Sequence, residues 1–355
     1  MFRPFLFMAV LVVWACPALP SHAQPLAVSR GAAPFSFAPL VRRVVPAVVN
    51  ISVIEQGVEN GPDVLPELKG LRDRLRGRRQ AVLGAGSGFI VDSSGIIVTN
   101  THVVARANRI SVTLADGTEL AARLIGSDEL TDLAVLRVNS PTPLPSVEWG
   151  DSKVVEVGDW ILAAGNPFGV GISVTAGIVS ARGRDIGAGP FDDFLQIDAP
   201  INPGNSGGPT FNMDGQVIAV NTAIVSPTGG SVGIGFAVPS EIAAKIVADL
   251  REKGRIERGW LGVSVQDLAG ARMPRGGAGV AIANIDRAGP AAKAGLKAGD
   301  VVVAVNGAKV ETAQGLIRAV AATTPGNAVR LTVRRGSQNV DVPVTVGRRP
   351  SEQQG

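Results

Sequence analysis

The chain has 355 residues, 45% of them hydrophobic and 18% charged, with a formal net charge of +4. That composition excludes a largely disordered chain, leaves material for two or three domains, and gives no reason to expect nucleic acid as a partner. Its 44 glycines and 24 prolines, against 4% aromatics, favour turn-rich β structure, and neither recurs with a collagen-like period.

Met1–Ala23 carries one cation, Arg3, then twelve apolar residues from Phe5 to Cys16, then a short segment ending in Ser21-His22-Ala23. This is the layout of a cleavable export signal, and the apolar run is too short to span a bilayer. The alternatives are an uncleaved anchor or lipidation at Cys16, though Trp14 suits a lipobox poorly. Cleavage after Ala23 removes the sole cysteine and one of two histidines, leaving His102. A cysteine nucleophile, a disulfide framework and a Cys/His zinc site are thereby excluded, and no calcium-loop spacing appears. No cofactor or metal is expected.

After a leader over 24–36, the end of the segment Phe37–Val53 reads as a first strand. Gln56–Gln80 is polar and ends in an arginine-rich stretch, Arg72–Arg79, expected to be a solvated face. Strand and turn signals then alternate: Gly86–Val91, Gly95–Thr99, Ile110–Leu114, the turn Asp116-Gly117, Leu120–Ile125 and Leu133–Val138. A second series follows at Trp160–Ala164, Gly177–Ser180, Phe194–Ile197, Gly208–Phe211, Gln216–Asn221 and Gly235–Val238. Two successive runs of about six short strands predict two β-barrels or sandwiches. One helix is predicted next, with Ser240 as N-cap, an apolar face of Ile242, Ala243, Ile246, Val247 and Leu250, and Gly254 closing it. From Arg258 strands at Gly262–Val265, Gly279–Ile285, Val301–Val305, Arg330–Val333 and Val340–Val346, with helices at Pro290–Ala294 and Thr312–Ala322, predict a small α+β module. The expected division is a double-barrel domain at 37–239, a linker helix 240–257, a module at 258–347 and a polar tail 348–355.

His102 ends an apolar strand in Thr99-Asn-Thr-His102-Val-Val. Ser206 lies in Asn202-Pro-Gly-Asn-Ser206-Gly-Gly-Pro209, where the glycines permit a sharp turn that aims several N–H groups at one point. Gly204-x-Ser206-x-Gly208 also fits a nucleophile elbow, but in that fold the histidine follows the serine, and here none does. A His…Asp…Ser order on paired barrels is the chymotrypsin arrangement. The carboxylate is expected at Asp132, at the edge of the buried strand Leu133–Val138, with Asp198 as the alternative; Asp116 belongs to a turn and Asp192-Asp193 to a loop.

Together with Gly86-Ser-Gly-Phe-Ile-Val, Thr131-Asp132-Leu-Ala-Val-Leu and Gly165-Asn-Pro-Phe-Gly169, these segments resemble the HtrA/Deg family of serine proteases. The resemblance implies a mainly β chymotrypsin-like double barrel, His102 as general base and acid, Asp132 as its orienter and Ser206 as nucleophile. It further implies an oxyanion hole from the amides of Gly204, Asn205 and Ser206, a regulatory-loop arginine at Arg184, a periplasmic location and a homotrimer, with Phe35-Ser-Phe37 similar to the family's aromatic trimerising segment. Ile197 and Pro200 depart from the family's usual Gln-Thr-Asp-Ala-Ala-Ile, and Thr210 stands where leucine is common. Arg258-Gly-Trp260-Leu261-Gly262-Val263 and Gly289–Asp300 resemble a PDZ domain. That implies a carboxylate loop at Trp260–Gly262, an edge strand carrying Val263, and peptide C-termini as ligands.

The expected function is an ATP-independent serine endopeptidase degrading unfolded or damaged exported proteins. Two alternatives stand beside it: a peptide-binding chaperone or scaffold with a dormant site, and a signalling protease that cuts one partner when its C-terminal module is occupied.

Overall fold

The computed structural model describes residues 36–54, 84–105, 107–167, 171–268 and 279–349. The export signal, the leader with Phe35, the Gln56–Gln80 loop and the end of the polar tail lie outside them. Ala38–Gly355 forms one compact unit, and the architecture below is that unit's.

A short helix α1 (Ala38–Val44) leads through one 3-10 turn into β1 (Val48–Ile54). β2 (Gly84–Asp92), β3 (Ile96–Asn100), β4 (Arg109–Thr113), β5 (Glu119–Asp128) and β6 (Leu133–Val138) complete a closed barrel in the order β1-β2-β3-β6-β5-β4. A four-residue helix, α2 (Thr101–Val104), interrupts the passage from β3 to β4. β7 (Trp160–Gly165), β8 (Ser173–Arg184), β9 (Phe194–Ile197), β10 (Pro209–Phe211), β11 (Val217–Ile224) and β12 (Gly235–Pro239) close a second barrel. Its order, β7-β8-β9-β12-β11-β10, repeats the first strand for strand. Two-residue alternation puts Val49, Ile51, Ile97, Val112, Ala134 and Leu136 inside the first barrel. Ile161, Ala163, Val179, Ile197 and Ile218 fill the second. The predicted double-barrel, mainly β architecture is therefore what forms.

β8 runs well beyond its predicted Gly177–Ser180 core. Two register shifts, at Val179/Ala181 and Ala181/Arg184, carry it through Arg182-Gly183-Arg184, whose polarity conceals the strand signal. A second difference concerns the helix α3 (Ser240–Lys253). Pro239, not Ser240, occupies its N-cap, and Ser240 is already helical. The Ser240 hydroxyl instead donates to Gly150 O at 2.6 Å and accepts from Ser152 N at 3.0 Å. The free helical amide of Glu241 is capped from a distant loop by Ser152 Oγ at 3.0 Å. Sequence periodicity cannot foresee a cap supplied by a residue 89 positions away. Ala243, Ile246, Val247 and Leu250 are buried, and Gly254 closes the helix at φ 70° as expected. α3 packs on β5 and β6 of the first barrel and on β11 and β12 of the second.

The following module has a two-strand pair, β13 (Gly259–Trp260) with β20 (Gly347–Arg348). Its main sheet runs β14 (Val263–Asp267), β15 (Val280–Ile285), β16 (Val301–Val305), β18 (Ala328–Arg335), β19 (Gln338–Thr345), with β17 (Ala308–Lys309) hairpinned to β16. Asn306 and Gly307 have φ values of 50° and 83°, the paired left-handed conformation a two-residue hairpin turn demands. Helices α4 (Pro290–Lys293) and α5 (Ala313–Ala321) complete it; Thr312 Oγ1 caps α5 by accepting from Gly315 N at 3.1 Å. Among the described residues β14 is the last strand of the sheet and offers an unpaired edge. Among the described residues no helix is long and apolar enough to cross a membrane.

Candidate active site

β3 and β6 are antiparallel neighbours, with Asn100 opposite Leu133. The residues just beyond that pair, His102 on α2 and Asp132 before β6, are therefore brought together. His102 Nδ1–H donates to Asp132 Oδ2 at 2.6 Å, and the His102 amide donates to Asp132 Oδ1 at 2.9 Å. The carboxylate thus holds both ring and backbone, with the imidazole half exposed. Asp132 has φ 55°, a left-handed conformation uncommon for a residue with a side chain. Its carbonyl is pinned by Thr101 N at 3.0 Å and Asn100 Nδ2 at 2.7 Å. Asn100 Nδ2 also reaches Thr222 Oγ1 at 3.3 Å in the second barrel.

Asp198, the alternative carboxylate, is occupied elsewhere: its Oδ1 accepts from Ile178 N at 2.6 Å. Asp116 serves its turn, accepting from Thr118 N at 2.9 Å.

Ser206 sits in the loop before β10. Gly204 and Gly207 adopt φ 104° and 82°. At Gly207 space matters as much as conformation: a Cβ there would stand 2.3 Å from Ser87 O and from Thr99 Oγ1. The loop is stitched to the first barrel by Ser87, a fully buried residue of β2. Ser87 N donates to Ser206 O at 2.9 Å, Ser87 Oγ donates to Gly204 O at 2.6 Å, and Asn166 N donates to Ser87 Oγ at 2.7 Å. Ser87, Asn100 and Thr222 were not singled out by sequence. The only signal for Ser87 is its setting between Gly86 and Gly88, where a neighbouring strand and Val103 leave no room for side chains.

Of the three expected oxyanion amides, that of Asn205 donates to Asn202 O at 3.0 Å. Those of Gly204 and Ser206 meet no acceptor among the described residues. Ser206 Oγ points to Thr222 O at 3.4 Å, a long contact, and among the described residues it makes no hydrogen bond to His102. The three departures from the family pattern flank this loop. Ile197 is in the core of the second barrel, Pro200 O accepts from Thr175 Oγ1 at 3.0 Å, and the buried Thr210 hydroxyl donates to Asn221 Oδ1 at 2.6 Å.

Arg184, at the end of β8, donates from Nε to Gln196 Oε1 at 2.9 Å. The loop after it is organised by the buried Asp192, whose Oδ2 accepts from Ile186 N at 3.0 Å and Ala188 N at 2.9 Å. From the C-terminal module, Gln314 Nε2 donates to Asp185 Oδ2 at 2.6 Å and Arg318 Nε to Pro190 O at 2.8 Å. Arg318 also donates to Asp192 O. Arg258 stacks over Phe191 at 4.5 Å and forms a buried bidentate pair with Asp128, whose Oδ2 also accepts from the Thr131 hydroxyl next to Asp132.

Trp260, Leu261, Gly262 and Val263 line a cavity of about 420 Å³ between β14 and α5, with Leu316 and Val320 on the helix side. Gly262 has φ 74°, and the amides of Leu261 and Gly262 meet no acceptor among the described residues. Leu130, Pro190 and Phe191 border the same cavity.

Residues 86–220 match the trypsin-like peptidase domain model, and residues 259–346 match a PDZ domain model. The chain is 45% identical to a probable periplasmic serine endoprotease DegP-like of Brucella suis, over 89% of this chain and 69% of that one. It is 42% identical to the protein of the same name in Rhizobium meliloti, over 97% and 76%. The solved structure of an HtrA-type protease AlgW with tripeptide superposes at TM-score 0.77 with 39% identity, covering 89% of this chain and 98% of that one. A serine endoprotease from Yersinia pestis superposes at 0.72 with 33% identity, over 89% and 99%.

Proposed function

The chain belongs to the HtrA, DegP-like family of serine endoproteases, and on that premise we propose that His102, Asp132 and Ser206 are its catalytic triad. The observation that supports this most is the doubly held pair, with Asp132 accepting both the Nδ1–H and the amide N–H of His102. A carboxylate so placed fixes the tautomer that leaves the other ring nitrogen free to take a proton, and it stabilises the imidazolium that results. Ser206 Oγ, turning from Thr222 O, attacks a peptide carbonyl; His102 accepts its proton and returns it to the leaving amine. The tetrahedral oxyanion is received by the amides of Gly204 and Ser206, with Asn205 joining only if its bond to Asn202 O opens. Catalytic hydrogen bonds in apo sites are often long or poorly aligned, so a Ser206 Oγ that points to Thr222 O and not to His102 is compatible with a competent resting enzyme.

The proposed substrates are unfolded or damaged exported proteins, cleaved without ATP in the periplasm after removal of residues 1–23, by a chain assembled as a homotrimer. The proposed working division is protease at 37–239, linker helix at 240–257 and PDZ module at 258–347. The test is hydrolysis of a reduced, unfolded protein without ATP by the mature chain and by Ser206→Ala. Ser206→Ala is expected to lose turnover on the order of 10⁴-fold or more. Retained cleavage would remove Ser206 from its role.

A second reading concerns control. The Trp260–Val263 groove borders Pro190 and Phe191, and α5 is bonded to the loop after Arg184. These contacts favour a protease whose turnover rises when a peptide C-terminus occupies the groove.

A further inference from the structure

We propose that the outer face of the first barrel carries a binding site for a phosphate-class oxyanion, formed by Arg123, Arg137 and Arg251. Arg123 of β5 and Arg137 of β6 are direct antiparallel partners, and Ile96 of β3 faces Arg137 from the other side. Cross-strand partners share a face of the sheet, so two guanidinium groups stand side by side where like charges are unfavourable. α3 crosses this face and brings Arg251 in its last turn to the same place. Together the three arginines, with Ile96, Leu124 and Ile125, line a cavity of about 420 Å³.

One carboxylate answers three cations. Asp92 pairs with Arg251 at 2.8 Å, while among the described residues neither Arg123 nor Arg137 has an acidic partner. More telling is Arg137 Nε, which is buried and has no hydrogen-bond partner. A buried charged donor without an acceptor is rare in folded proteins and asks for a ligand to complete it. The charge left after Asp92 is counted corresponds to a dianion, and planar guanidinium forks suit tetrahedral phosphate oxygens. The site is not part of the catalytic cleft. Arg137 lies five residues beyond Asp132, about 16 Å along the strand direction. An oxyanion bound there ties the last turn of α3 to the barrel, just before Gly254 releases the chain towards the PDZ module.

The same chemistry is offered by free phosphate or by an anionic lipid headgroup, and exposed Leu124 at the rim makes both worth testing. The full mature chain, Arg123→Gln and Arg137→Gln would be titrated with inorganic phosphate and pyrophosphate by calorimetry, against sodium chloride at matched ionic strength. Co-sedimentation with phosphatidylglycerol or phosphatidylcholine vesicles forms the second arm. Saturable phosphate binding, weakened roughly tenfold or more in either variant, is expected. Binding confined to phosphatidylglycerol vesicles and lost in the variants equally supports the site, with a headgroup as its ligand. Hydrolysis of unfolded protein by Arg123→Gln should stay within about twofold of wild type. Its side chain is exposed, so this variant keeps the test open should Arg137→Gln fail to fold. The proposal falls if the wild type binds neither probe above its control, or if both variants bind as well as wild type.

Discussion

At residue scale, Asp132 carries two demands that can be separated. Its carboxylate orients His102, and its backbone sits at φ 55°, a conformation asparagine shares readily and alanine adopts only at a cost. Asp132→Asn keeps an oxygen for the His102 amide but presents an NH₂ or a weaker acceptor to Nδ1, favouring the wrong tautomer. It is expected to melt close to wild type while losing on the order of 10⁴ in turnover. Asp132→Ala should lose activity equally and stability by about 1 kcal/mol more, for the left-handed backbone alone. Thermal melts and hydrolysis rates of the two variants decide this; equal melting of both would show that the backbone is not strained. Ser87 makes the complementary point. Its one hydroxyl joins Gly204 O to Asn166 N, so the serine loop is shaped by a residue from the opposite barrel.

At the scale of elements, α3 is seated by devices that lie outside its own sequence. Ser152 caps Glu241 N from a loop, and at the other end Gly126 on β5 approaches so closely that a Cβ would sit 2.3 Å from Gly254 O. Ser152→Ala is expected to cost about 1 kcal/mol in chemical denaturation, as losing an ordinary N-cap does. A loss near zero would mean that solvent caps the helix as well. In the PDZ module, buried Asp300 receives Nε and Nη2 of Arg335 at 2.8 and 2.6 Å and Lys297 N at 2.9 Å. The Arg335 bond, above all, holds its carboxyl below the ordinary aspartate value of 3.8. The folded state therefore binds this proton less readily than the unfolded state. The stabilisation is complete above the ordinary value and is lost as pH falls through the lower folded one. Asp300→Asn should cost roughly 2 kcal/mol at pH 7, and the gap from wild type should shrink on acidification to pH 3. A gap of unchanged size at pH 3 would mean that the charge on Asp300 is not what matters.

What the sequence could disclose follows the range of the forces involved. Two-residue alternation in Val48–Val53 and the short apolar run Leu133–Val138 are local signals, so the barrel strands were legible. The Ser-Gly-Gly segment was legible because a backbone that turns this sharply tolerates few residues. Ser240 was misread because the partner that would reveal its position, Gly150, lies 90 residues away. Ser87, Thr222 and the Arg123–Arg137 row were silent for the same reason: each acquires meaning only through register or through contact between barrels.

At the scale of the whole molecule, the two modules share a loop. Residues 185–193 descend from β8, fold around Asp192, and are held from the PDZ side by Gln314 and Arg318 on α5. α5 is also one wall of the groove, through Leu316 and Val320. A peptide that wedges between β14 and α5 must load the helix that grips the loop, and Phe191 of that loop sits under Arg258, which binds Asp128 four residues before Asp132. Structure thus offers a continuous route of packed and hydrogen-bonded groups, whose worth is measured only as a coupling between two sites. Arg318→Ala removes the donors to Pro190 O and Asp192 O, while Arg318 itself neither lines the groove nor belongs to the triad. Stimulation of hydrolysis by a hydrophobic C-terminal peptide, taken as the ratio of rates with and without it, should then fall towards one. Peptide affinity in a binding titration should remain measurable, changed by no more than the coupling itself, about 5- to 150-fold for 1–3 kcal/mol. If Arg318→Ala keeps the full stimulation, the 185–193 loop is a passive neighbour of the groove, and control of the serine must run through other contacts.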